Sequence, residues 1–285
     1  MTKFCDLHIH SNCSDGTLSP AELVRMAQAL ELGAVALCDH NTVAGLPEFL
    51  AAARESGVEA VPGMEFTTEY QGTELHILGL FIQPAHYAAV TEKVAGMMAR
   101  KEQSNIALIE GLRSAGICLD YGAIQAGTPN GLVNRAVIAA EMVRLGYNSS
   151  LKEAFDQWLS EDRGFFHPAK RLDSVDVIRF IKSIGAVAVL AHPFLNLDEP
   201  GLEAFLEEAV PAGLDAMEAL YPKFSAGETE LARRIAGEHG LLISGGSDFH
   251  GANKPDIRMG TGRGELRVPM DVLEGLRSRQ NQKNK

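Results

Sequence analysis

Phe4-Cys5-Asp6-Leu7-His8-Ile9-His10-Ser11 is the stretch on which the reading of this chain turns. Apolar Cys5, Leu7 and Ile9 alternate with polar Asp6, His8 and His10, the two-residue period of a strand. A strand is predicted over residues 4–8. Side chains two apart share a face, so His8 and His10 can grip one ion from the strand's end. Asp15 follows in the next loop.

The arrangement recurs along the chain. Asp39-His40 ends a strand predicted over residues 34–38, and Glu65 follows one at 58–61. His192 ends a strand at 186–191, and Asp248-Phe249-His250 follows one at 241–244. His76 lies on the return strand, residues 74–81, of a hairpin turning at Gln71-Gly72. Six of the nine histidines thus fall in islands that also carry acids. In β/α barrels the C-terminal ends of the strands carry the chemistry. Singly, each histidine reads as a satisfied structural residue; unrelated core histidines would not collect at strand ends as a set.

Helical patterns alternate with these strands. Ser19-Pro20-Ala21-Glu22 is a capping box with proline at the first helical position, opening a helix towards Gly33. Further helices are expected at 44–56, at 173–184 behind an Asp173 cap, after Pro200, and at 225–239, with another strand at 214–219. The alternation argues for an α/β fold of parallel β-α units. From residue 91 to 162 the strand signals vanish, and helical patterns at 91–114, 132–145 and 150–159 replace them. We expect a barrel built from residues 1–90 and 163–285, with 91–162 a helical insertion over its mouth. Ser278 to Lys285 reads as a frayed polar tail.

Composition bounds the function. The chain has 285 residues, 46% of them apolar and 22% charged, enough for a substantial core. A net charge of −11 argues against electrostatic binding of duplex DNA, though not against a nucleotide held at bound metals. Cys5, Cys13, Cys38 and Cys118 form no C-x-x-C pair. Cys5 and Cys38 fall in strands and are expected as buried thiols, in a reducing cytoplasmic compartment. The first histidine motif leaves no room for a signal peptide, and no apolar run is long enough to span a membrane.

Imidazoles mixed with the carboxylates of Asp15, Glu65 and Asp248 suit Mn²⁺, Zn²⁺ or Fe²⁺ better than Mg²⁺ alone. Nine candidate ligands, His8, His10, Asp15, His40, Glu65, His76, His192, Asp248 and His250, exceed what one ion needs and suit two or three. Divalent ions against three carboxylates leave an excess of positive charge that suits a phosphate. The chain is therefore expected to be a metal-dependent hydrolase.

These islands resemble the PHP (polymerase and histidinol phosphatase) family, and within it the stand-alone phosphoesterases acting on nucleotides. Asp6-Leu7-His8-Ile9-His10-Ser11 with Asp15-Gly16 resembles the first family motif, and Asp39-His40-Asn41-Thr42 the second. Ala191-His192-Pro193 resembles the third and Gly246-Ser247-Asp248-Phe249-His250 the fourth; Gly63-Met64-Glu65 and His76-Ile77-Leu78-Gly79 fill the positions between. The resemblance covers essentially the whole chain. It implies a distorted, TIM-like (β/α)7 barrel and a three-metal cluster, Mn²⁺ foremost. In it His8, His10, Glu65 and Asp248 hold one ion; Glu65, His76 and His192 a second; Asp15, His40 and His250 the third. Two departures stand out. Asn41 replaces the usual aspartate, and in Asn134-Arg135-Ala136-Val137 the arginine is kept while Val137 replaces a histidine.

The resemblance implies hydrolysis of a phosphate ester by metal-activated water, with Asp248, His250 and Arg135 at the reacting centre and Arg135 also binding the phosphate. A nucleotide 3′,5′-bisphosphate is the expected substrate. The rivals are 5′-to-3′ exonuclease action on short RNA, a histidinol phosphate phosphatase, and, from another class, a non-catalytic metal-binding module. Asp6 and Asp39 either orient imidazoles or cap loops, and Glu218 either backs a ligand or edges the core. Lys254, Arg163 and His167 are weaker substrate candidates whose bland reading is surface residues. His86 and His239 lack supporting context. Gly260-Thr261-Gly262-Arg263-Gly264 lacks the strand-to-helix setting of a nucleotide loop and reads as a turn.

Overall fold

A computed structural model describes residues 3–128 and 131–283. Its elements run β1 (Phe4–Ile9), α1 (Pro20–Ala29), β2 (Ala34–Leu37), α2 (Leu46–Ala53), β3 (Glu59–Tyr70) and β4 (Thr73–Leu80). Then come α3 (Tyr87–Ser114), α4 (Tyr121–Gly127), α5 (Arg135–Arg144) and α6 (Leu151–Ala154), the last running into a π-helical turn at Phe155–Leu159. The remainder is β5 (Leu172–Asp173), α7 (Ser174–Ser183), β6 (Val187–Leu190), α8 (Glu199–Ala212), β7 (Ala216–Leu220), α9 (Ala226–Glu238), β8 (Leu242–Gly245), β9 (Val268–Pro269) and α10 (Met270–Lys283).

The strands form a mixed sheet in the order β8-β7-β6-β4-β3-β2-β1-β9, with β5 on β3. β4 runs antiparallel to both β3 and β6, and β9 antiparallel to β1; the other pairs are parallel. The reversal begins at Gln71 and Gly72, both with positive φ, 50° and 83°, as a two-residue hairpin turn of the primed type requires. β3 runs well past the expected end at residue 61, because Met64, Phe66 and Tyr70 continue its buried register against β4.

The sheet nearly closes into a barrel, and the closure lies where β8 ends. Asp248 N donates to His8 O at 2.8 Å and His10 N to Phe249 O at 2.9 Å, pairing the segment after β8 with the end of β1. Gly246 permits this approach: a Cβ there would lie 2.4 Å from the Cβ of His8. Alternate strand residues fill the interior, among them Cys5, Leu7, Ala34, Ala36, Cys38, Val187 and Val189, joined by Leu273 and Leu276 of α10. Both thiols expected to be buried are fully so.

The capping boxes at Ser19-Glu22 and Ser225-Glu228 are complete, and Asp173 caps α7. The expected frayed tail is corrected: α10 continues through Ser278 to Lys283, the last two residues lying outside the described part. Polar side chains dock it. Arg277 pairs with Glu59, Arg279 lies 3.6 Å from Asp215, and the Gln280 amide donates to Phe81 O at 3.5 Å.

The chain divides into two compact units, Met1–Thr91 with Leu172–Lys285, and Glu92–Arg171. The second has its own core, including Leu108, Leu112, Ile138, Met142, Leu159 and Phe166. Residues 163–171, expected in the barrel, fall in this second unit. Phe166 belongs to its core, and Ser104 donates to the carbonyl of His167. α4, not anticipated, forms behind an Asp120 cap and buries Ile124.

Candidate metal centre

The strand ends converge on Glu65. Its Oε2 lies 3.2 Å from His8 Nε2, 3.2 Å from His10 Nε2 and 3.1 Å from His40 Nδ1. Its Oε1 lies 2.8 Å from His76 Nδ1 and 3.1 Å from His192 Nε2. One buried carboxylate thus faces five imidazoles drawn from β1, β4 and the segments just after β1, β2 and β6.

The remaining candidates flank this group. Asp248 Oδ1 stands 3.3 Å from His10 Nε2, 3.9 Å from His8 Nε2 and 3.4 Å from His250 Nδ1. Asp15 Oδ1 lies 3.2 Å from His250 Nε2, and its Oδ2 lies 3.8 Å from His40 Nε2. Among the described residues, three donor groups could each hold a cation: His8, His10 and Glu65; His10, Asp15, His40 and His250; and His40, Glu65 and His76. The first holds three of the four residues that the family implies, with Asp248 beside it, 3.3 Å from His10, and the second holds its implied three with His10 added. In the third, His40 rather than His192 joins Glu65 and His76, although His192 faces the same oxygen.

The donors fit a metal. His8 Nε2, both nitrogens of His10, His40 Nδ1 and Glu65 Oε2 are buried without a well-aligned hydrogen bond among them. Native interiors rarely leave so many polar atoms unsatisfied at one place. Mixed nitrogen and oxygen donors suit first-row divalent ions. Charge points the same way. Burial lowers the His10 imidazole, but Asp248 and Glu65 outweigh it and lift it to about 9. His76 rises against its own burial to about 10 through Glu65 and Glu74, and His8 rises well above its usual value through Glu218 and Glu65. Burial takes His40 down to about 3 and also lowers His250. Although burial opposes it, facing imidazoles hold Glu65, Asp248 and Asp15 below the usual carboxylate range. The carboxylates demand positive charge, which protons supply here and cations can replace.

A surrounding layer aims the donors. Fully buried Glu218 takes a hydrogen bond from His8 Nδ1 at 3.1 Å and from His192 N at 2.8 Å. A carboxylate only accepts, so His8 carries a proton on Nδ1, and this bond turns Nε2 towards Glu65, the carboxylate–imidazole pairing common behind metals. Glu218 therefore backs a ligand. Asp6 accepts from Ser247 N and Oγ, Gly260 N and His8 N; Asp39 accepts from Ser11 N and Oγ and from Ser14 Oγ. Both acids tie loops and, in these bonds, hold no ring. Asn41, in the left-handed region at φ 55°, exchanges two hydrogen bonds with Thr67 and holds the His40 loop against β3. Asparagine tolerates that conformation better than most residues. His192 at φ 28° and Asp248 at φ 55° are also strained, as residues at working sites often are.

Two contributors stand apart from the expected ligands. Tyr221 Oη donates to Asp248 Oδ2 at 2.8 Å, and Lys254 Nζ to the same oxygen at 2.7 Å. Lys254 is therefore no mere surface charge. Sequence reasoning missed Tyr221, although it directly follows β7, the rim position that marked the other residues. Arg135, at the start of α5, stacks its guanidinium 4.0 Å over the Phe166 ring and donates to Leu159 O at 3.2 Å, within the helical unit. His239, capping the end of α9, pairs with Glu203 of α8 at 2.7 Å. Residues 258–264 form turns, without a nucleotide loop.

Comparison with known proteins adds to this geometry. The family described as the PHP domain matches residues 6–161. A 5′-3′ exoribonuclease of Haemophilus influenzae is 35% identical over 251 residues, covering 88% of this chain and 91% of its own. A 3′,5′-nucleoside bisphosphate phosphatase of Chromobacterium violaceum is 29% identical over 248 residues, 86% of each chain. Among solved structures, a protein assigned as a metal-dependent phosphoesterase from Bifidobacterium adolescentis superposes with a TM-score of 0.82 at 28% identity, covering 97% of this chain and 96% of that one.

Proposed function

The chain belongs to the PHP domain family and is a metal-dependent phosphoric ester hydrolase; on that premise we propose that it hydrolyses a phosphate ester of a nucleotide, a 3′,5′-bisphosphate first. The observation that carries this reading is Glu65, whose two oxygens face five imidazoles as a carboxylate shared between ions would. His8, His10, Asp15, His40, Glu65, His76, His192, Asp248 and His250 would hold two to three ions, Mn²⁺ foremost. Such ions, when bound, acidify water towards neutral pH and offset charge on the phosphoryl oxygens. Glu218, Tyr221 and Lys254 hold the rings and Asp248 in the orientation this requires. Arg135 is proposed as a phosphate contact, for which guanidinium geometry is suited.

A second reading, removal of nucleotides from the 5′ end of short RNA, is favoured by the higher identity of the exoribonuclease, 35% against 29%. The deciding experiment is phosphate release from adenosine 3′,5′-bisphosphate by the Mn²⁺-loaded protein, with a short 5′-phosphorylated RNA in parallel. Release of one phosphate from the bisphosphate supports the first reading. Mononucleotides from RNA alone transfer it to the second. Hydrolysis of neither by protein that has taken up metal sinks both.

A further inference from the structure

A ladder of aromatic rings leaves the metal centre at His192. The rings of His192 and Tyr221 are 5.3 Å apart, those of Tyr221 and Phe224 5.2 Å, and those of Phe224 and Phe194 5.4 Å. Tyr221 is buried, whereas Phe194 and Phe224 are half-buried. Beside Phe194, Leu195 is 42% exposed. With Leu30 it is one of two large apolar side chains that the barrel unit exposes among the described residues.

Both outer rings stand on braced turns at the rim. Phe224 N donates to Tyr221 O at 3.1 Å across a turn with Pro222 in its second position, where proline is preset. Phe194 sits in the turn after His192, where Leu195 N donates to His192 O at 3.0 Å and Asn196 Nδ2 to Glu74 O at 2.9 Å. The loops leaving adjacent strands β6 and β7 therefore hold two half-buried rings at the rim, tilted 55° to each other, one of them two residues from a candidate ligand.

We propose that Phe194 and Phe224 form the stacking platform for the nucleobase of the substrate. The proposal rests on the nucleotide reading above and extends it. Every base offers a planar face that stacks on such rings without hydrogen-bond readout, so the platform accepts any base. The turns set the rings beforehand, so little ordering is lost on binding. Removing such a ring typically costs roughly 5- to 150-fold in affinity per base.

The test compares kcat/KM for adenosine 3′,5′-bisphosphate with that for ribose 5-phosphate, a phosphate ester without a base. The metal-loaded full chain is used as wild type, Phe194→Ala, Phe224→Ala and Phe194→Tyr. In the alanine variants the preference for the nucleotide falls about tenfold through a raised nucleotide KM, and Phe194→Tyr restores it. Phe194→Leu, which keeps apolar volume but loses the π face, shows the same fall and covers the case of a misfolded alanine variant. An unchanged preference in the alanine and leucine variants overturns the platform and leaves the nucleotide reading standing. A wild-type protein that turns over both compounds equally recognises no base, and both fall together.

Discussion

Tyr221 Oη and Asp248 Oδ2 are joined by a 2.8 Å hydrogen bond, which turns the other carboxylate oxygen towards His10 and His8. Tyr221 is 3% exposed, and burial together with Asp248 pushes its hydroxyl pKa far up, so it donates at any working pH. Tyr221→Phe keeps the ring beside His192 and Phe224 but removes the donor. Affinity for Mn²⁺ is expected to fall about tenfold, read by competition with a chelator. Unchanged affinity would mean that Lys254 alone orients Asp248.

Glu218→Ala should cost stability. Its two oxygens serve His8 Nδ1 and His192 N, all at the closed interior of the rim. The substitution strands a buried imidazole N–H and a buried backbone N–H. Since an orphaned donor costs about 1–3 kcal/mol, a loss of about 3 kcal/mol is expected in urea unfolding of the metal-free protein. A loss below about 1 kcal/mol would contradict the role given to Glu218.

Metal loading should expel protons. His10 at about 9 and His76 at about 10 lie above their usual 6.5, and His8 lies well above it, so all three rings hold an extra proton at pH 7.5. A ring must be neutral to bind a cation, so loading displaces them, whereas His40, at about 3, has none to give. Apparent affinity therefore rises with pH as these rings lose their protons and falls steeply in acid. Calorimetric titration with Mn²⁺ at pH 7.5, in buffers of different ionisation enthalpy, should report release of about three protons per chain. Absence of release would refute this charge arrangement.

The ligand islands were legible because strand period and strand ends are local features. His8 and His10 share a face through the two-residue repeat, and His40 and His192 lie where apolar runs stop. Asn41 was visible as a departure from the family motif, but its bonds to Thr67 were not, since they cross from the end of β2 to β3. The polar stretch Ser278 to Lys283 reads as frayed because nothing nearby in sequence shows that Asp215 and Phe81 receive Arg279 and Gln280. Residues 163–171 looked like a return to the barrel because Phe166 gives no local sign of which core it joins.

The sequence by itself determined the alternation of strands and helices, the hairpin at Gln71-Gly72 and the rim positions of the candidate ligands, because periodicity and turn chemistry are set by near neighbours. Only the tertiary structure decided that β4 runs between β3 and β6, that Glu65 gathers five imidazoles, and that Glu218, Tyr221 and Lys254 brace them. The reason is distance along the chain: His8 and Glu218 are separated by 210 residues, and only closure of the sheet brings such partners within reach of a hydrogen bond.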